Sequence, residues 1–119
     1  MQSLPTDGTS LRATATKSID LVQAHKVFST VTFASTVGYW CEIDRVIKPG
    51  GHVVFDIMTE RCLSPATIET WAGRGIPSHS SFPAAMPSNA ATGFFTARGF
   101  KLIGSFLSLM PPGQTEVLV

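Results

Sequence analysis

The stretch from Ser35 to Met58 constrains this chain more than any other. Val37, Trp40, Ile43 and Ile47 recur at spacings of three and four, which lines them along one side of a helix reaching Lys48. Lys48-Pro49-Gly50-Gly51 follows. Pro49 disfavours helical geometry in the residue before it, and Gly50 suits the positive φ of a type II turn, so the segment predicts a helix stop and a sharp reversal. Val53-Val54-Phe55-Asp56-Ile57-Met58 is then almost continuously apolar, the pattern of a parallel strand covered on both faces rather than of a one-sided strand. Upstream, Ser18 to His25 sets a short apolar run between polar ends, which predicts a strand centred on Ile19–Gln23. Strand, helix, turn and strand make a βαβ unit with a right-handed crossover, so the fold class is α/β.

The rest of the chain supplies shorter elements. Residues 1–17 have only Leu4 and Leu11 as sizeable apolar side chains and read as a loop or a strand remnant. Glu42 and Arg45, three apart, can pair on the polar side of the first helix. Ser64-Pro65 opens a second helix, with Ile68, Trp71 and Ala72 as its apolar stripe and Gly73 as its end. Residues 73–87 carry three prolines and several small residues, which predicts a loop. A short helix then runs from Pro87-Ser88 through Phe94, Phe95 and Ala97 to a left-handed exit at Gly99. Phe100–Leu107 and Thr115–Val119, joined through Pro111-Pro112-Gly113, predict an antiparallel hairpin.

A length of 119 residues accommodates one domain and not two independent cores. The hydrophobic share of 44% is enough for a packed interior, while the charged share of 14% lies well below the roughly 25% of an ordinary domain. Nine basic and eight acidic side chains leave a net charge of +1, which supplies no field for nucleic acid or an anionic membrane surface. No apolar run approaches the roughly 20 residues of a membrane span, and the start MQSLPTDGTS lacks the basic and apolar regions of an export signal. The expected location is cytoplasmic. Cys41 and Cys62 have no C-x-x-C spacing and read as reduced thiols.

Ile19-Asp20-Leu21-Val22, then Glu42-Ile43-Asp44-Arg45-Val46-Ile47-Lys48-Pro49-Gly50-Gly51 and Val53-Val54-Phe55-Asp56, resemble the second half of class I (Rossmann-like) S-adenosylmethionine-dependent methyltransferases. Arg-Val-Ile-Lys-Pro-Gly-Gly before an apolar strand is the most specific part, similar to the family's passage from the helix after its fourth strand into its fifth. Asp7-Gly8 is similar to the adenine-side loop after the third strand, and the closing hairpin to the sixth and seventh strands. The resemblance covers nearly the whole chain and implies a partial Rossmann-like sheet, a single truncated domain over residues 1–119. The family's Gly-rich cofactor loop has no counterpart here, because Gly73-Arg74-Gly75 follows a helix and precedes Pro77 instead of joining a strand to a helix.

By this resemblance the cofactor is S-adenosylmethionine, with Asp7 and Gly8 flanking the adenine and Gln23 and Ala24 on the methionine side. Binding by this chain alone is expected to be weak or absent, since each lost charge-assisted hydrogen bond forfeits roughly 1.5–3 kcal/mol. In the family's sheet the fourth strand lies beside the first, so the strand at 19–23 becomes an open edge. The expected partner is a second copy of the chain or a complementary N-terminal half. The implied function is methyl transfer to a small-molecule hydroxyl, inactive in the isolated chain. The competing reading is a non-enzymatic dimerising module built from the half-sheet.

Ligands of open α/β sheets bind beyond the carboxyl ends of the strands, which points to Gln23, Ala24 and His25 and to Asp56 through Glu60. His25 suits a general base on an acceptor hydroxyl, though a strand-end histidine is as often simply hydrogen-bonded. Asp56 reads as a satisfied structural carboxylate, and Asp7-Gly8 is also a common turn pair. His52 and His79 have no metal-ligand spacing, and no metal is assigned. Trp40 and Trp71 lie on apolar stripes and read as core. No nucleophile motif occurs, nor an Asn/Asp-Pro-Pro-Tyr segment for base methylation.

Overall fold

A computed structural model describes residues 3–4, 10–28, 30–73, 85–108 and 115–119. Strand β1 (Ile19–Ala24), helix α1 (Phe33–Val46) and strand β2 (Ile47–Thr59) form the expected βαβ unit, with β1 and β2 parallel. A 3-10 turn at Glu60–Cys62 leads to α2 (Pro65–Gly73). After it come the two-residue strand β3 (Ala85–Met86), α3 (Asn89–Thr96), β4 (Ser105–Ser108) and β5 (Thr115–Leu118). The main sheet has the order β1-β2-β5-β4. The last strand therefore inserts between β2 and β4, antiparallel to both, and β3 adds a short parallel pairing at Met58 and Thr59.

Helix α1 begins where the Thr32 hydroxyl accepts from the Ser35 amide, satisfying a donor of the first turn. It ends at Val46, earlier than its apolar spacing predicts, and Ile47 already belongs to β2. The Lys48–Gly51 segment makes a bulge in β2 and not the predicted reversal. Ile19 pairs with Ile47 and Leu21 with His52, so two steps along β1 match five along β2. Extra residues on one strand of a pair bend it locally without ending it. Gly50 does take the expected positive φ, +82°. Gly51 is required for a different reason: a Cβ there would lie 2.9 Å from the Asp20 carbonyl oxygen, so β1 passes too close for a side chain.

Alternation along the strands separates two faces. Val22, Ala24, Val53, Phe55, Ile57 and Leu118 turn toward α1 and α3, where Trp40, Ile43, Ala91 and Phe95 complete the core. Trp40, 1% exposed, is the centre of an aromatic cluster, with ring centroids at 5.5 Å from Phe94, 5.7 Å from Phe95 and 6.0 Å from Phe55. Both tryptophans were expected in the core; Trp40 is there, and the Trp71 side chain lies outside the described residues. The opposite face carries Leu21, 56% exposed, and Phe106, 60% exposed. Strand β1 is one edge of the main sheet.

Other expectations hold with local corrections. Helix α2 spans the predicted residues, but Ile68 on its apolar stripe is exposed. Helix α3 matches the short helix expected before Gly99, which has φ +88°. The hairpin pairs in antiparallel register, although ladder pairing begins only at Ser105, with Ile103 and Gly104 bonded to Val119 at the sheet's end. The Pro111-Pro112-Gly113 connection lies outside the described residues.

Candidate functional site

Because Ala24 and Phe55 are register partners on parallel strands, the next residues, His25 and Asp56, come side by side at the carboxyl end of β1. The Asp56 side chain is 2% exposed and that of His25 63% exposed, with His25 Nδ1 3.6 Å from Asp56 Oδ2. The other carboxylate oxygen, Oδ1, accepts a hydrogen bond from the Lys26 amide at 2.6 Å. Among the described residues Oδ2 has no hydrogen-bond partner. Asp56 is therefore not the fully satisfied carboxylate that its sequence setting predicts. A buried, half-paired carboxylate beside an exposed imidazole can hold the ring in place.

Lys26, next to this pair, has φ +55°, a left-handed conformation that costs a non-glycine residue roughly 1–2 kcal/mol. That geometry delivers its amide to Asp56, and a hydrogen bond to a charged acceptor contributes about 1.5–3 kcal/mol, enough to offset the strain. Gln23 is exposed and Ala24 half-buried on the same edge strand. These two and His25 thus share one strand end. Asp7 and Gly8 lie outside the described residues, as does His79.

The segment that follows Gly8 in sequence is clamped to α1 farther along. Arg45 donates to the carbonyls of Leu11 and Thr14, each at 2.9 Å, while Glu42 accepts from the Leu11 amide at 2.8 Å. The predicted Glu42–Arg45 pair is present at 2.9 Å, and its hydrogen bond and charge hold the Arg45 pKa above its ordinary value. Sequence spacing shows the pair; its grip on residues 11–14, some thirty positions away, has no local signal.

Glu60, the last of the predicted strand-end positions, is committed elsewhere. Its carboxylate accepts from the Ser88 hydroxyl and, at 2.7 Å, from the Ser88 amide, tying the end of β2 to the start of α3. These bonds, led by the Ser88 hydroxyl, lower the Glu60 pKa. His52 is exposed on β2. Among the described residues no three His, Cys, Asp or Glu side chains converge as a metal site would require. None of the described helices is long and apolar enough to cross a membrane.

A cavity of about 520 Å³ lies on the α3 side of the sheet, lined by Val53, Phe95 and Ile103 together with Lys48 and Arg98. It sits toward the start of β2, away from His25 and Asp56. Concavity and strand-end chemistry thus disagree about the site. The strand end has the stronger claim, because ligands of parallel sheets bind beyond carboxyl ends and the half-paired Asp56 lies there.

Residues 1–55 match a family profile described as a methyltransferase domain. No curated protein matches the sequence. Among solved structures the chain is similar to magnesium protoporphyrin IX methyltransferase from Synechocystis PCC 6803 with bound SAH, with a TM-score of 0.70 and 10% identity. The match covers 95% of this chain and 47% of that one, so the chain spans about half the length of the structure it resembles. With its parallel βαβ unit continued by an antiparallel strand pair, the chain has the fold of the C-terminal half of class I S-adenosylmethionine-dependent methyltransferases.

Proposed function

We propose that this chain forms the acceptor-side half of a methyltransferase acting on a small-molecule hydroxyl, with His25 as general base. The observation that carries this reading is the adjacency of exposed His25 and buried Asp56 at a parallel-strand end. Gln23 presents an exposed amide with donor and acceptor groups there, and half-buried Ala24 leaves room beside it, which suits contacts to the methionine portion of S-adenosylmethionine. Asp7 and Gly8 are assigned to the adenine side. When bound, the cofactor supplies an electrophilic methyl group, and the chain's own contribution is to position the acceptor and take up its proton.

The nucleotide-binding half would come from preceding sequence or from a separate chain docked along β1. The edge position of β1 and the exposed Leu21 on it support such a partner, as does a matched structure twice as long. A second copy of this chain is the other candidate for that edge. In isolation the chain is inactive.

The competing reading is a non-enzymatic interaction module, favoured by the same open edge. Calorimetric titration with S-adenosylmethionine, paired with sedimentation, separates the two. Weak saturable binding supports the enzyme half. No heat at millimolar ligand together with a stable dimer supports the module, and a stable monomer at micromolar concentration removes the self-association proposal.

A further inference from the structure

We infer that Asp56 is a positioning residue that fixes the tautomer of His25, an inference that rests on the general-base reading above. Asp56 Oδ1 is taken by the Lys26 amide at 2.6 Å, so the carboxylate cannot swing freely. Its Oδ2 is buried without a hydrogen-bond partner among the described residues, and an unpaired buried carboxylate oxygen is costly. His25 Nδ1 lies 3.6 Å from it and needs only a small ring rotation to reach hydrogen-bond distance. Such contacts commonly tighten when a ligand fills the site.

An ionised carboxylate only accepts, so it selects the imidazole form with its proton on Nδ1. The lone pair then resides on Nε2, at the far side of a ring that is largely exposed, where an acceptor hydroxyl can approach. In the transfer step the acceptor O–H bond breaks and its proton goes to Nε2 while the oxygen bonds the methyl carbon. The carbon–sulfur bond breaks with its electron pair left on sulfur. The resulting imidazolium faces the Asp56 carboxylate, which offsets its charge.

Asp56→Asn inverts this preference without removing the buried hydrogen bond. The amide oxygen still accepts from Lys26, which turns the NH2 group toward His25 and makes Nδ1 the acceptor. Nitrogen-15 NMR of the His25 ring, at a pH where it is neutral, reads the tautomer directly and needs neither cofactor nor acceptor. The expected result is a predominant Nδ1–H form in the unmodified protein and a shift of about tenfold or more toward Nε2–H in Asp56→Asn, the scale of one hydrogen bond to a charged group. A predominant Nε2–H form in the unmodified protein overturns the inference even if the variant does not fold. An unchanged ratio in a folded variant overturns it too. Since the readout is independent of methyl transfer, a correct tautomer with no cofactor binding would instead count against the function.

Discussion

Asp56 Oδ2 and His25 Nδ1 lie 3.6 Å apart where β1 ends beside β2, one group sealed from solvent and the other open to it. The pair joins an anchored charge to a side chain free to meet a ligand. On the proposed function, with the cofactor-binding half supplied, His25→Ala is expected to lower kcat by about 10²–10⁴, the usual contribution of a general base, with little change in the KM for S-adenosylmethionine. Steady-state kinetics check this. Loss confined to the cofactor KM would assign His25 to binding.

Trp40 should be the most sensitive core position. It touches Phe28, Phe33, Phe55, Phe94 and Phe95, so Trp40→Ala is expected to cost about 3–5 kcal/mol, a large part of a small domain's stability. Its Nε1 has no hydrogen-bond partner among the described residues. Trp40→Phe keeps a ring and removes that orphan donor, so it should cost less than half as much. Urea denaturation of both variants gives the comparison.

Three glycines should respond in opposite senses to alanine. At Gly51 the added Cβ meets backbone of β1, which predicts a loss of about 1–3 kcal/mol. At Gly50 the space is open but φ is +82°, which predicts a loss of about 1–2 kcal/mol. At Gly93, within α3, nothing lies within 4 Å and φ is ordinary, so alanine should gain about 0.5–1 kcal/mol. Thermal melts that rank the variants otherwise would contradict the bulge geometry.

The Glu60–Ser88 link predicts an acid-sensitive attachment of α3. The folded-state pKa of Glu60 is lowered, chiefly by the Ser88 hydroxyl, so its stabilising effect is complete above the unfolded pKa. It is lost as pH falls through the folded value. Melting temperature should therefore drop more steeply between about pH 5 and pH 3 in the unmodified protein than in Glu60→Gln. Parallel slopes would show that the link carries no such dependence.

Much of this fold was legible because its elements are locally encoded. Apolar spacing marks α1, the continuous run Val53–Met58 marks β2, and Ser64-Pro65 marks α2. The Lys48–Gly51 bulge was not, since the same residues suit a turn, and only pairing with β1 makes them part of a strand. Exposure of Ile68 was likewise illegible, because an apolar stripe does not reveal whether anything covers it. At the site, His25 and the strand-end location followed from chemistry and topology. The juxtaposition of Asp56 with His25 did not, because 31 positions separate the two and sheet register alone brings them together.

The central claim is that the half-sheet binds its ligand at the carboxyl end of β1. Chemical-shift mapping with S-adenosylhomocysteine tests it most directly. The expected result is a set of shifts at Gln23, Ala24 and His25 that saturates only in the millimolar range, a binding free energy of about −4 kcal/mol, as befits half a site. Shifts confined to Phe95, Ile103 and the other walls of the α3 cavity, or none at millimolar ligand, would contradict it.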